Sequence, residues 1–225
     1  DTLESRDGDG FMNESHKKFI REHVRLVWDP KGSESRVSIG DSAYQSENIS
    51  GPMPLQELIE RLKEIDGKKD SYGEIAQQIW DYAEMGYQEE QSVALLQETL
   101  KEEDFTVEAG VAGMPTAFIA SYGSGKPVIA VLGEYDALPG LSQKAVAHKE
   151  SNGGVAGHAC GHHLFGTAST AAAITIKKYL EETGKSGTIR FYGCPAEEGG
   201  SGKVYLTRAG LFNDVDAVIN WHPGN

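Results

Sequence analysis

Apolar positions along the chain repeat with two periods, and the changes between them mark out elements. Ile75, Ile79, Trp80 and Ala83 recur at helical spacing behind Ser71-Tyr72-Gly73-Glu74, which reads as a capping box, so a helix is predicted over about residues 70–85. Val93, Leu96 and Leu100 predict a second helix over about 91–102. FTVEA (105–109) and TAFIASYG (116–123) have β-type composition, and PVIAVLG (127–133) is apolar on both faces, as a strand between two helix layers must be. Ala168, Ala172, Ile176 and Leu180 predict a long helix over about 164–182. Strand TIRFYG (188–193), a short helix over about 203–210 and strand DAVINW (216–221) follow. Strands alternating with helices imply an α/β fold, a three-layer sandwich with a mostly parallel central sheet. Before residue 53 the pattern is irregular. FIREHVRLVW (19–28) suits a helix or a strand, and residues 1–52 are left unassigned beside an organised region, 53–225.

Charge narrows the partners. A net charge of −13 and a pI near 5.0 speak against nucleic acid and anionic membrane, because affinity for phosphates comes from Lys and Arg. No apolar run approaches the roughly 20 residues that span a bilayer, and DTLESRDGDG at the start is polar rather than signal-like. A cytoplasmic protein is expected, with a periplasmic or secreted one as the alternative if a signal has been removed. Cys160 and Cys194 alone make no disulfide framework, so Cys160 reads as a ligand or reactive thiol, with a Cys160–Cys194 bridge as the alternative. The glycosylation-type triplets at Asn13 and Asn48 read as chance.

The candidate chemistry lies where the predicted strands end. In open α/β sheets, sites form beyond the carboxyl ends of the strands. Glu134 and Asp136 follow one strand, Glu197 and Glu198 another, His222 ends a third, and Cys160, His162 and His163 stand in a glycine-flanked loop before a helix. Each alone is ordinary: a histidine at a strand end is usually structural, and paired glutamates are usually a solvated face. Together, cysteine, histidine and carboxylate are the donor set of zinc and similar divalent metals, and Gly161 lets a short loop aim Cys160 and His162 at one point. A cysteine nucleophile fits less well, since the carboxylates disfavour a thiolate without a cation. GSGKP (123–127) and GGSGKV (199–204) lack the residues of a phosphate loop and read as turn glycines.

GEYDALPGLSQ (133–143), GHACGHHLFGTA (157–168), GTIRFYGCPAEEGGSGK (187–203) and DVDAVINWHP (214–223) resemble the successive motifs of the M20 family of metallo-amidohydrolases, in its aminobenzoyl-glutamate hydrolase branch. The resemblance covers about residues 65–225. It implies two divalent ions, zinc or manganese, held by Cys160, His162, Glu198 and His222, with Glu197 as general base. It implies Asp136 as the residue orienting a metal ligand, and leaves His163 as a contact behind the ligands or a polar residue of the first helical turn. Extended backbone would point the two glutamates to opposite sides and so divide their duties. The implied reaction is hydrolysis of an amide in an N-acyl amino acid, small peptide or aminobenzoyl-glutamate-like substrate, by a homodimer in the full-length protein. Family members continue past the strand ending at His222 into a lid or dimerisation domain and a further histidine ligand. The expectation is therefore the first part of a catalytic domain, incomplete on its C-terminal side and inactive alone. The alternative is a non-catalytic half-domain that retains the metal-binding motifs.

Overall fold

A computed structural model describes residues 24–27, 36–39, 42–43 and 55–224. The chain divides into two compact units, Asp1–Glu60 and Arg61–Asn225, so the division falls eight residues beyond the composition change at 52. In the first unit, β1 (Val24–Val27), β2 (Arg36–Ile39) and β3 (Ser42–Ala43) form an antiparallel sheet in that order. FIREHVRLVW thus contributes a strand, its Val24–Val27. Asn13 and Asn48 lie outside the described residues.

Helix α1 (Leu55–Gly67) leads through Lys68 into α2 (Lys69–Tyr82). The capping box at Ser71 does not form. The Lys68 carbonyl already accepts from Tyr72 N–H (3.0 Å), so the first turn closes before Ser71, and no side chain caps this helix. Ala83, in the left-handed region (φ 43°), ends α2. The next helix, α3 (Glu90–Glu102), is capped from outside itself: Glu84 accepts from the backbone N–H of Gln91 and Ser92, both at 2.9 Å. A carboxylate at a helix N-terminus satisfies orphan donors and complements the helix dipole.

The main sheet has the order β10-β6-β9-β5-β4, from β4 (Thr106–Ala109), β5 (Phe118–Ser124), β6 (Val128–Gly133), β9 (Gly187–Gly193) and β10 (Ala217–Ile219). β10, β6 and β9 are parallel neighbours, β5 runs against β9, and β4 runs against β5. Only β5 is therefore reversed, and the sheet is mostly parallel. A two-stranded ribbon, β7 (Leu138–Pro139) with β8 (Ala156–Gly157), frames the loop between them.

Both faces of the sheet are covered, as the two-residue strand period demonstrates. Phe118, Ala120, Val131, Ile189 and Phe191 join Ile79, Leu96, Leu100 and Ile174 in one core cluster beneath the helices. Their sequence neighbours Ala117, Ile119, Ala130, Leu132 and Tyr192 enter a second cluster with Val111, Met114 and Leu206. Leu206 belongs to α6 (Gly202–Arg208) on that opposite face. Helix α4 (His162–Thr183) is the central helix of the first face. Gly166 lets it approach the sheet, since a Cβ there would stand 2.6 Å from the Glu134 carbonyl oxygen. That contact brings the start of α4 beside the end of β6.

Candidate metal centre

Because β6, β9 and β10 are parallel, their carboxyl ends lie on one side of the sheet, and α4 begins there. Gly161 precedes the helix with φ 80°, a conformation that side chains disfavour, and it turns the chain so that Cys160 and His162 reach the same region. After β6, Tyr135 turns into the core and donates to the Thr116 carbonyl (2.6 Å), while its neighbours Glu134 and Asp136 meet His162.

His162 is the centre of the cluster and has no exposed surface. Its Nδ1 lies 2.9 Å from Asp136 Oδ1 and 3.1 Å from the Asp136 carbonyl oxygen. Both are acceptors, so a proton sits on Nδ1, and Nε2 is the nitrogen turned toward the carboxylates. Around that nitrogen stand Glu134 Oε2 at 2.9 Å, Glu197 Oε2 at 3.9 Å and Glu198 Oε1 at 4.0 Å. His162 Nε2, Glu134 Oε2 and Glu198 Oε1 are all buried and make no hydrogen bond. Three adjacent buried donor atoms without partners are unusual in a folded protein, and a cation would satisfy all three.

The remaining predicted ligands come to the same place. Cys160 Sγ is 3.3 Å from His222 Nε2, and donor atoms of Cys160, His162 and His222 all lie within 4.8 Å of one another. His222 is set by an aromatic wall, with its ring 5.5 Å from that of His162 and 5.9 Å from that of Phe165. Trp221 packs on Phe165 and donates to Ser169 Oγ (3.1 Å), which ties the end of β10 to α4. Asp136 has a second duty: its Oδ2 accepts from Glu198 N–H at 2.8 Å.

Glu197 and Glu198 are not on extended backbone, which corrects the expectation of alternating side chains. Ala196 is left-handed (φ 53°) and residues 197–200 form a single kinked turn, α5 (Glu197–Gly200), in which Glu198 has ψ 72°. The turn still separates them, with side chains 46% and 19% exposed, so Glu197 faces outward and Glu198 inward. Glu89, which has no exposed surface, holds this turn by accepting from Ala196 N–H (2.8 Å).

Electrostatics show a site built for positive charge. Burial opposes a charge on His162, yet the Asp136 and Glu134 carboxylates outweigh it and lift the imidazole to about 10. Burial and the neighbouring Glu198, Glu197 and Glu134 push the Cys160 thiol up to about 11, so without a cation it is no nucleophile. Burial raises Glu134, but His162 and Lys203 more than compensate and hold it below the usual carboxylate range.

Two readings left open by the sequence find their place here. His163 does not join the cluster: its ring packs edge-on against Trp80 (4.9 Å) and near His158 (5.1 Å), so it is a residue of the first helical turn facing α2. Burial lowers both His158 and His163 to about 4. No Cys160–Cys194 bridge forms; both are free, and Cys194 is buried in the second core cluster, donating to the Tyr192 carbonyl (3.3 Å). Glu134 stands at a predicted strand end, yet the motifs assign it no role. Its position two residues before Asp136, and so on the same side of an extended chain, is the available signal.

The arrangement has relatives. Residues 130–225 match peptidase family M20/M25/M40. The chain is 51% identical over 172 residues to a p-aminobenzoyl-glutamate hydrolase subunit of Escherichia coli (strain K12), covering 75% of this chain and 36% of that protein. It is 32% identical over 181 residues to the Xaa-Arg dipeptidase of Mus musculus, covering 74% and 38%. The chain thus spans well under half the length of these curated relatives. Among solved structures it resembles a Bacillus subtilis dinuclear metal-binding peptidase from the M20 family, with a TM-score of 0.58 and 27% identity over 69% of this chain and 44% of that one. The motif-bearing strands and the matched region together place this chain in peptidase family M20.

Proposed function

We propose that the protein is a metal-dependent amidohydrolase, with Cys160, His162, Glu198 and His222 holding divalent metal and Glu197 acting as general base. The observation that carries this reading is the buried His162 Nε2, which makes no hydrogen bond and is ringed by the Glu134 and Glu198 oxygens, which make none either. The donor set fits zinc or manganese, and two ions follow the dinuclear description of the Bacillus relative. The chemistry such ions supply is Lewis acidity, which acidifies water and polarises a carbonyl.

The chain's own groups divide the remaining tasks. Asp136 fixes the tautomer and orientation of His162, the usual service of a carboxylate behind a ligating imidazole. It also clamps the Glu198 backbone, so one residue orients two ligands. Glu197, the more exposed glutamate, would take a proton from water as it attacks the amide carbonyl. It would then return that proton to the leaving amine. The substrate class is an N-acyl amino acid, small peptide or aminobenzoyl-glutamate-like amide, the last favoured by the 51% identity to the E. coli hydrolase subunit. A homodimer and a cytoplasmic location complete the reading, and the two free thiols suit a reducing compartment.

The test is turnover of p-aminobenzoyl-glutamate and N-acyl amino acids by the complete enzyme with zinc or manganese supplied, alongside its Glu197→Gln variant. The variant should keep its metal and lose about 10² to 10⁴-fold in turnover. Equal rates would remove Glu197 from the role. Absence of metal-dependent turnover in both would favour a non-catalytic metal-binding module.

A further inference from the structure

The four ligands expected from the motifs leave Glu134 unexplained. Its side chain is 4% exposed, and a buried carboxylate is costly unless both oxygens are satisfied. Oε1 is paired with the Lys203 ammonium. Oε2 makes no hydrogen bond and lies 2.9 Å from His162 Nε2, which makes none either. Once His162 holds an ion through Nε2 that nitrogen carries no proton, and the 2.9 Å approach of Oε2 is then favourable only if the same ion lies against both.

We propose that Glu134 is a ligand of the ion held by His162, and that Lys203 determines which Glu134 oxygen faces that ion. The inference rests on the metal-hydrolase reading above and adds a donor to it. Donor atoms of Glu134, His162 and Glu197 lie within 4.8 Å of one another, a grouping distinct from Cys160, His162 and His222 and joined to it only through His162. Nε2 has a single lone pair and serves a single ion, so a carboxylate in contact with that nitrogen belongs to the same coordination shell. Lys203 is 30% exposed and reaches in from α6 on the opposite side of the carboxylate. As a compact point charge it occupies Oε1 and leaves Oε2 to the cluster.

Cobalt(II) provides a readout that needs no turnover. The 225-residue chain and its Glu134→Gln, Glu134→Asp and Lys203→Met variants are titrated with cobalt while the visible ligand-field bands and the Cys160 thiolate-to-cobalt band are recorded. The parent should show both. A parent without the thiolate band would overturn the metal reading itself. Glu134→Gln should keep the thiolate band, change the ligand-field bands and weaken cobalt binding by at least about 10-fold, since loss of partners outside the ligand set alone costs about 10 to 100-fold. Glu134→Asp, which retains a carboxylate, should recover part of that loss. Lys203→Met should bind cobalt more weakly than the parent, because the carboxylate is then free to turn. Far-UV circular dichroism checks folding, and if Glu134→Gln does not fold, Lys203→Met decides. Parent-like affinity and bands in a folded Glu134→Gln, or in Lys203→Met where that variant decides, would show that Glu134 serves only as an ion-pair partner.

Discussion

Asp136 shows how much one side chain can decide. One oxygen fixes the His162 ring and the other holds the Glu198 backbone, so the imidazole and the carboxylate are oriented by a single group with 1% exposure. Asp136→Asn keeps the shape but loses the charge, and its amide can present a donor where an acceptor is needed. Zinc affinity of that variant, measured by competition with a chelator, should fall by about 10 to 100-fold with the fold intact. Unchanged affinity would mean that the helix alone orients His162. At this scale the sequence is informative where donor chemistry and strand ends coincide, as at Cys160, His162, Glu198 and His222. It leaves His163 open, because neighbours on a helix point about 100° apart, and adjacency to a ligand says nothing about facing the same way. Glu89 is silent for the opposite reason: its partner, the Ala196 amide, is more than one hundred residues away.

The turn bearing Glu197 and Glu198 is anchored by that same Glu89, at the N-terminus of α3. Burial raises the Glu89 pKa above its ordinary value of 4.5, and the hydrogen bond from Ala196 only partly opposes this. The folded protein therefore holds a proton on Glu89 more tightly than the unfolded chain does. Below about pH 4.5 this group favours neither state, and its contribution turns against folding as pH rises from there through the folded-state pKa. Glu89→Gln retains a carbonyl acceptor for Ala196 and removes the ionisation. It should raise the thermal midpoint at neutral pH, with the gain vanishing below pH 4.5. A midpoint lower than the parent's at neutral pH would show that the carboxylate charge is needed. Elements are legible in sequence because the apolar periods are long and regular. The start of α2 departs from its capping signal because propensity near Ser71 loses to an incoming α1, and the kink at α5 is invisible because nothing in Pro195-Ala196-Glu197 signals a left-handed alanine.

At the scale of the molecule, the site joins the ends of segments that are far apart in sequence. β6, α4, β9 and β10 each deliver at least one donor, so an ion bound there ties four elements together. Anything that binds the folded chain alone stabilises it by mass action, by about 2.7 kcal/mol at 100 times the dissociation constant. Zinc should therefore raise the unfolding midpoint of the parent, a chelator should reverse the rise, and Asp136→Asn should show a smaller one. An unchanged parent midpoint in saturating zinc would contradict a metal site built across these elements. The three-layer architecture is readable because both faces of β5, β6 and β9 are apolar, whereas the antiparallel sheet of β1 to β3 is hidden in a polar stretch without a sustained period.

The register of the parallel strands also sets the order of events in time. Val128 stands opposite Thr188 and Ile129 opposite Ala217, so the two pairings that build the site each close a long stretch of chain, and such contacts form slowly. Cys160 and His162, by contrast, are two residues apart and available from the first moment of synthesis. An ion that meets the nascent chain finds this local pair, with His158 and His163 beside it, well before Glu134, Glu198 or His222 can arrive. Early capture would stabilise the unfolded chain as well as the folded one, and could enlist the two histidines that the finished fold turns toward Trp80. For a chain that binds metal as proposed, maturation would then be a race between local chelation and sheet closure, and metal supplied after folding would meet the geometry that the sheet provides.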